Sequence, residues 1–272
     1  MKLAVNYSPQ AAALLDAGVV AFDLYKCTEW PEMIEVARRQ RPPYVHLPLM
    51  AGRDNIAEVG WDTIYRALDT TETPFINTHL APRGADFGVP LDSTDVAQGE
   101  VLLAAMLRDI APLTQRLGAG RVILENANWD PNYDIPQLVI APTFINRVVE
   151  ASGCGLLLDL AHARMAATHL GMDDRQYVSQ LPVHRLRELH VAGTRYDPGE
   201  RRLVDHFPMT ANDWVLAEWA LERIHAGDWP QPALVALEYG GTGPAFAWRS
   251  EAGVLATDLP RLHSLVHGLR VH

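Results

Sequence analysis

Six short apolar segments, spread along most of the chain, each end in a residue that can bind a metal ion. These terminal residues are His46, His79, Glu125, Asp159, His190 and Glu238. Apolar runs of this length are typical of buried parallel strands, whose carboxyl ends lie at one face of a barrel. The pattern therefore favours a parallel sheet whose strand ends meet at a single site.

Strand-like and helix-like segments alternate throughout, which predicts eight βα units and a (β/α)8 TIM barrel. The 272 residues, 48% of them hydrophobic, suit one barrel of about 250 residues, and we expect a single domain over residues 1–272. In detail we expect a second strand at 19–25, one helix at 55–68, a long loop at 192–209, and a last helix at 250–269 broken at Pro260.

Charge and cysteine content narrow the functional classes. The formal net charge is −10, whereas nucleic-acid binders usually carry a basic face. The two cysteines form no disulfide framework, which fits a reducing compartment. Polar residues interrupt the N-terminal apolar run, so we expect no signal peptide. No segment approaches the ~18 apolar residues of a membrane span, and the prediction is a soluble cytoplasmic protein with no membrane partner.

The strand-end residues predict a metal centre. A single histidine or carboxylate at such a position is more often a hydrogen-bonded core residue than a ligand. Glu125, Asp159 and Glu238 gathered at one rim would repel one another, however, and a divalent cation removes that repulsion. Mixed imidazole and carboxylate ligands suit iron, manganese or zinc. We expect Glu125, Asp159, His190 and Glu238 to form the catalytic centre.

Three further residues extend the ligand set. His162 follows Asp159 by about one helical turn, so both side chains can face the same rim. Asp205 and His206 lie in the predicted loop at 192–209. Because neighbouring residues of an extended chain point to opposite sides, these two can bind one metal only if the backbone bends between them.

Other chemistries find little support in the sequence. There is no Walker A motif and no Gly-x-Gly-x-x-Gly after a strand. The run Gly240-Gly241-Thr242-Gly243 is glycine-rich and offers a weak anion-binding signal. Lys26 is a poor candidate for a Schiff-base lysine. Residues of the long loops that we predict to contact substrate are Arg83, Trp129, Tyr133 and Arg195.

Three segments resemble one enzyme family over nearly the whole chain. They are Ile123-Leu124-Glu125-Asn126, the run from Leu156 to His162, and Glu188-Leu189-His190-Val191-Ala192-Gly193. They are similar to the multinuclear non-haem iron-dependent oxidative enzymes, which include the methanobactin biosynthesis oxygenase. The resemblance implies a xylose-isomerase-like TIM barrel with two or three irons. It also implies oxidation of a peptide side chain with dioxygen, beside a partner protein that presents the peptide.

The resemblance also implies how the ligands divide among the irons. His46, His79 and Glu125 correspond to ligands of one iron, and Glu125 would bridge to a second iron held with Asp159, His190 and Glu238. His162, Asp205 and His206 would hold the third iron. The family places one residue between the last aspartate and histidine, whereas Asp205 and His206 are adjacent here.

Three other functions remain open at this point. Endonuclease IV-like hydrolases use a similar ligand set on the same barrel with three zincs, although the acidic charge disfavours DNA as a substrate. A sugar or hydroxy-acid isomerase with one or two metals, such as manganese, is another alternative, acting on a small-molecule substrate. A noncatalytic barrel that scaffolds a partner predicts no bound metal.

Overall fold

The computed structural model describes residues 1–268, and the side chains of these except Ala245 and Ala247. The strands are β1 Lys2–Asn6, β2 Leu24–Cys27, β3 Pro43–Val45, β4 Met50–Ala51, β5 Ile76–Leu80, β6 Val122–Glu125, β7 Gly155–Asp159, β8 Leu186–Val191, β9 Gly193–Asp197, β10 Arg202–Phe207 and β11 Leu234–Leu237. The α-helices are α1 Pro9–Asp16, α2 Pro31–Arg38, α3 Ile56–Val59, α4 Trp61–Thr70, α5 Gly84–Phe87, α6 Val96–Leu117, α7 Gln137–Ile140, α8 Pro142–Ser152, α9 Leu160–Leu170, α10 Asp174–Ser179, α11 Ala211–His225 and α12 Ala252–Val266.

Nine strands form one curled parallel sheet in the order β3-β2-β1-β11-β8-β7-β6-β5-β4. Its two edge strands, β3 and β4, are consecutive in the chain and are joined by residues 46–49. Within the described residues, no backbone ladder joins β3 to β4. The predicted α/β class and parallel sheet are therefore confirmed, while the ladder itself does not close into the expected eight-stranded ring.

The register of the sheet brings the strand ends together. His79 lies opposite Glu125 between β5 and β6, and Asp159 lies opposite His190 between β7 and β8. Inside the curled sheet, away from the carboxyl ends of the strands, lies an apolar cluster that includes Leu24, Tyr44 and Leu234. Side chains alternate along a strand, so the strand residues two positions after such apolar ones point into the same interior, closer to the carboxyl rim.

Four expected elements differ from the structure. Residues 19–23 precede β2 and do not form a strand, and the expected helix at 55–68 is divided at Gly60, whose φ of +83° interrupts the helical backbone. The expected loop at 192–209 contains the antiparallel pair β9 and β10. Pro260 lies inside α12 without ending it, because the buried leucines on this helix pack against the core. The expected helix end at 269 lies outside the described residues.

Across residues 1–268, no helix combines the length and the apolar character that crossing a bilayer requires.

Candidate metal centre

All nine residues predicted as metal ligands lie around one cluster at the carboxyl end of the sheet. Each has an ionisable side-chain atom within 4.0 Å of such an atom of another member. Within the described part of the chain, four groups of three His, Asp or Glu residues have donor atoms within 4.8 Å of one another. The strand ends supply most of these groups, and helix α9 and strand β10 supply the remaining members of the cluster.

The histidine side of the cluster consists of His46, His79 and Glu125. Atom Oε2 of Glu125 lies 3.3 Å from Nε2 of His46 and 3.1 Å from Nε2 of His79, and the two Nε2 atoms are 3.1 Å apart. Nδ1 of His79 donates to the carbonyl of Leu49 at 2.9 Å, so its Nε2 carries the free lone pair. Ligands that share a metal at about 2.0–2.2 Å are separated by distances of this order.

Asn77 on β5 holds the segment that joins the two edge strands of the sheet. Its Oδ1 accepts from the backbone N–H of Leu47 at 2.8 Å, and its Nδ2 donates to the carbonyl of Leu47 at 2.9 Å. The same Nδ2 lies 3.0 Å from Nε2 of His46. The Asn77 amide therefore ties β5 to residues 46–49 and fixes the segment that carries His46.

Asn126 fixes the backbone of Asp159 in the same way. Asp159, His162 and Asp205 form the centre of the cluster. The Asn126 amide accepts from the N–H of Asp159 at 2.7 Å and donates to the Asp159 carbonyl at 3.0 Å. Oδ1 of Asp159 then caps α9 by accepting from the N–H of His162 at 2.8 Å. Nδ1 of His162 donates to the carbonyl of Asn126 at 3.0 Å, which leaves Nε2 of His162 directed at Oδ2 of Asp205, 3.2 Å away.

A β-bulge in β10 carries Asp205 and His206. Val204 pairs with Arg195 and Phe207 pairs with Gly193, so two residues of β10 face one residue of β9. His206 adopts a left-handed φ of +62°, which supplies the backbone bend that an adjacent ligand pair requires. Nε2 of His206 lies 3.8 Å from Oδ2 of Asp205, but neither residue joins a group of three donors among the described residues.

The hairpin of β9 and β10 is attached to the helices by a buried guanidinium. Arg164 on α9 forms an ion pair with Asp213 and donates to Oγ1 of Thr194 at 2.9 Å. Oδ2 of Asp213 accepts from the N–H of Thr194 at 3.1 Å, and Asp213 also completes the capping box that begins α11. These contacts fix the start of β9 and thereby the position of the bulge.

The lysine side of the cluster consists of Lys26, His190 and Glu238. Nζ of Lys26 forms an ion pair with Oε1 of Glu238 and lies 3.4 Å from Nδ1 of His190. Nδ1 of His190 is 3.1 Å from Oε1 of Glu238 and 3.9 Å from Oδ2 of Asp159. On the other edge of the ring, Nε2 of His190 bonds to Oε1 of Glu188 at 2.8 Å, which fixes the ring orientation.

Burial favours the neutral forms of Lys26 and His190. Burial lowers the pKa of Lys26 to about 8, although the surrounding carboxylates oppose this change. Burial and the neighbouring lysine hold the pKa of His190 well below its usual value. His190 is therefore a neutral imidazole, which is the form that can accept from an ammonium or bind a metal.

Burial and the neighbouring charges together set the pKa values of Glu125, Asp159 and His162. Burial disfavours the charged form of Glu125, but His79, His46 and His162 together hold its pKa well below the usual value. Burial raises the pKa of Asp159 to about 6. Burial alone would lower the pKa of His162, but the carboxylates of Asp159, Asp205 and Glu125 raise it to about 10.

Two buried carboxylate oxygens of the cluster have no hydrogen-bond partner. They are Oε2 of Glu125 and Oδ2 of Asp159. An unpaired buried carboxylate oxygen is costly, and a cation would satisfy both. Glu125 with His46 and His79, and Asp159 with His162 and Glu125, thus fit divalent cations by donor type and by spacing.

Two cavities open onto the cluster. One, of about 220 Å³, is bordered by Lys26, Glu238 and the glycines Gly240 and Gly241. The other, of about 280 Å³, is bordered by His79, Asp205 and Tyr133. The glycine-rich run noted in the sequence therefore forms part of a cavity wall.

Of the four predicted substrate contacts, only Tyr133 borders one of these two cavities. The ring of Trp129 stacks on His169 with 3.7 Å between centroids, and Arg195 lies over the ring of Phe207. Arg83 borders a separate shallow cavity with Arg53 and Asp86. The structure therefore leaves Trp129, Arg83 and Arg195 outside the cavities at the cluster.

Sequence reasoning missed four residues that build the site, namely Lys26, Asn77, Asn126 and Glu188. Three of them share one signal. Asn77 and Glu188 precede His79 and His190 by two positions, and Lys26 follows the buried Leu24 by two. A polar residue two positions from a ligand or a core residue on a strand points to the same face, so this spacing could have identified them.

Residues 29–239 match the family model described as "RiPP precursor modification enzyme MbnB/TglH/ChrH", where RiPP denotes a ribosomally synthesised and post-translationally modified peptide. The chain is 28% identical over 216 residues to a UPF0276 protein of Caulobacter vibrioides, covering 74% of this chain and 72% of the relative. It is 28% identical over 206 residues to the UPF0276 protein AM1_3026 of Acaryochloris marina, with the same coverage of each chain.

A solved structure shares the fold. A sugar phosphate isomerase/epimerase from Parabacteroides distasonis superposes with a TM-score of 0.56, covering 97% of this chain and 98% of the other at 10% sequence identity. At this identity the likeness concerns the fold alone, and it agrees with the curled parallel sheet described above.

Proposed function

Since the chain belongs to the MbnB/TglH/ChrH family of RiPP precursor modification enzymes, we propose that it modifies a side chain of a ribosomally made peptide with divalent cations bound at the strand-end cluster. Two buried carboxylate oxygens without partners, each beside neutral or cation-binding imidazoles, carry the proposal. The family resemblance supports an oxidative reaction with dioxygen and iron as the cation.

The proposed ligands divide by position. On the histidine side, His46, His79 and Glu125 would hold one cation, and Glu125 also faces the centre through Oε1, 3.3 Å from Nδ1 of His162. In the centre, Asp159 and His162 would hold another cation, with Asp205 adjacent to His162. The family resemblance also implies that His190 and Glu238 bind a metal and that His206 completes a third site.

Bound iron would supply electrons and an open coordination position for dioxygen. The chain's own residues perform the other tasks. Asn77 and Asn126 fix the backbone of the ligand segments, and Glu188 orients His190. The two cavities leave room for a side chain of an extended peptide beside the ligands, and Tyr133 is a candidate contact for the peptide.

The test combines metal counting with a peptide assay. Protein purified without chelator or added metal should contain two or three irons per chain. It should change the mass of a precursor peptide encoded beside its gene, in a reaction that requires dioxygen. We expect the reaction to need a partner protein that presents the peptide, so this protein is added to the assay. Irons without any oxygen-dependent mass change of such a peptide would overturn the oxidative proposal.

The same measurement separates the alternatives. Zinc in place of iron would favour a hydrolase, a single cation would favour an isomerase, and no bound metal would favour a scaffold. None of these has a specific observation in its favour here, since the solved isomerase relates to this chain by fold alone.

We also propose a cytoplasmic setting and a single domain. Cys27 and Cys154 are both buried and free, which suits a reducing compartment. One large cluster of buried apolar residues extends from Leu3 to Val266.

A further inference from the structure

We propose that the ammonium group of Lys26 is an internal cation of the cluster, which takes the place of a divalent ion between His190 and Glu238. The chain would then bind divalent cations at the histidine side and in the centre but not on the lysine side. This inference rests on the proposed function, because it assigns where the cations of that same site bind.

The geometry of the donor atoms carries the inference. A cation held by Asp159, His190 and Glu238 would bind Nδ1 of His190 and a carboxylate oxygen of Glu238, of which Oε1 lies 3.1 Å from that nitrogen. Oε1 of Glu238 and Nδ1 of His190 already contact Nζ of Lys26, by an ion pair and at 3.4 Å respectively. The other nitrogen of His190 bonds to Glu188, so this imidazole has no second lone pair to offer. A divalent ion could bind here only after Lys26 had left.

The position of Lys26 opposes its departure. It lies within β2, paired with Asn6 of β1 and Tyr44 of β3, and its side chain is only 7% exposed. Leu24, two residues earlier, belongs to the apolar cluster inside the sheet, so Lys26 points into the same interior. Removing a buried ammonium from its carboxylate partner leaves a buried, unpaired charge, which is strongly unfavourable.

The distribution of unsatisfied atoms agrees with this assignment. The oxygens without a hydrogen-bond partner belong to Glu125 and Asp159, whereas neither oxygen of Glu238 or Glu188 is among the unpaired buried atoms of the described residues. Oε2 of Glu125 lies on the histidine side, and Oδ2 of Asp159 lies between the centre and the lysine side, 3.9 Å from both Nε2 of His162 and Nδ1 of His190. Glu238, the carboxylate of the lysine side, already has Lys26 as its counter-ion.

The experiment counts bound Zn²⁺ per folded chain by equilibrium dialysis and elemental mass spectrometry. Lys26→Met retains an apolar stem of similar length without the charge, and it should bind one Zn²⁺ more than the wild type. Lys26→Arg, which keeps a cation, should match the wild-type count. The double variant Lys26→Met/Glu238→Gln should lose the additional ion. In Lys26→Met that ion would bind the carboxylate of Glu238 in place of Lys26, and the double variant lacks this carboxylate.

A thermal readout accompanies the count. Metal-free Lys26→Met should unfold at a lower temperature than the wild type, because Glu238 is left buried without a counter-ion. Added Zn²⁺ should raise the Tm of this variant more than that of the wild type. Equal counts in Lys26→Met and wild type would overturn the proposal.

Glu238→Gln alone gives a second, independent decision that does not require Lys26→Met to fold. It should leave the wild-type count unchanged, and a count lowered by one would show that Glu238 binds a divalent ion beside Lys26. Failure of the proposed function would look different, because the wild type would then bind no Zn²⁺ at all. The difference of one ion between Lys26→Met and wild type would still test the role of Lys26.

Discussion

The histidine side and the lysine side of the cluster use the same donor types but balance their charge differently. On the histidine side, Glu125 faces His46 and His79, and one of its oxygens has no hydrogen-bond partner. On the lysine side, Glu238 has an internal ammonium as its counter-ion. Ligand-type residues at a strand end therefore do not by themselves define a metal position. The other cations that the fold brings to the same place decide whether a metal is needed.

The largest expected effect comes from breaking the histidine side. Glu125→Gln removes the negative charge that faces three imidazoles, so the affinity for a divalent cation should fall by more than about 100-fold. The peptide-modifying activity should disappear while the protein remains folded. Metal content per chain and circular dichroism test this, with the exposed Glu222→Gln as the matched control. Unchanged metal content in Glu125→Gln would refute the assignment of Glu125 as a ligand.

A smaller effect is expected from the amide that holds the histidine side in place. Asn77→Ala leaves the N–H and carbonyl of Leu47 without partners, and an unsatisfied buried polar group costs about 1–3 kcal/mol. Urea unfolding should show a loss of stability of this size, together with weaker Mn²⁺ binding as His46 loses its fixed position. The exposed Asn132→Ala should cost less than about 0.5 kcal/mol. Equal stability of the two variants would contradict the bridging role of Asn77.

The pH dependence of metal binding should sharpen the comparison between the centre and the lysine side. His162 has a pKa raised to about 10 in the metal-free protein, so it carries a proton at neutral pH and must release it before Nε2 can bind a metal. Affinity for Mn²⁺ in the centre should therefore increase with pH below 10, by about 1.4 kcal/mol per pH unit for each proton released.

Isothermal titration in buffers of different ionisation enthalpy would count the released protons. His162→Gln should remove this proton release, because glutamine does not titrate. Proton release that persists in His162→Gln would assign the titrating group to another residue.

The smallest expected effect concerns the bulge in β10. His206 has a φ of +62°, a conformation that costs non-glycine residues about 1–2 kcal/mol. In metal-free protein, His206→Gly should therefore have a Tm a few degrees higher than His206→Ala. The neighbouring pair Val204→Gly and Val204→Ala should show the opposite order, since Val204 has an ordinary strand conformation. If His206→Ala has a Tm equal to or higher than that of His206→Gly, as expected for the Val204 pair, the bulge stores no strain.

The sequence predicted that the strand-end residues would meet, because parallel strands in register present their carboxyl ends at one face. His79 beside Glu125 and Asp159 beside His190 follow directly from that rule. It did not predict the hairpin of β9 and β10, since short edge strands rich in charged residues resemble a polar loop. Nor could the pattern of apolar residues show that the ladder ends at β3 and β4, because it does not reveal that an asparagine side chain on β5 binds the backbone of the segment between them.

The sequence marks Lys26 only as a poor candidate for a Schiff-base lysine and does not show what its side chain contacts. Its partners are His190 and Glu238, more than 160 residues away along the chain. Which charges neutralise one another depends on tertiary contacts that neither composition nor periodicity reveals. Long-range packing of loop residues is equally hidden from the sequence, as in the contact of Arg195 with the ring of Phe207 on its own hairpin.

The single extra residue in β10 has a consequence for how distant relatives are identified. A backbone that can insert a residue on one strand can bring two neighbouring side chains to the same side of the hairpin. The number of residues between two ligands can then change during evolution while their positions in space are retained. Searches that demand a fixed interval between aspartate and histidine would overlook proteins like this one, and alignments of such proteins should allow a one-residue gap at the bulge.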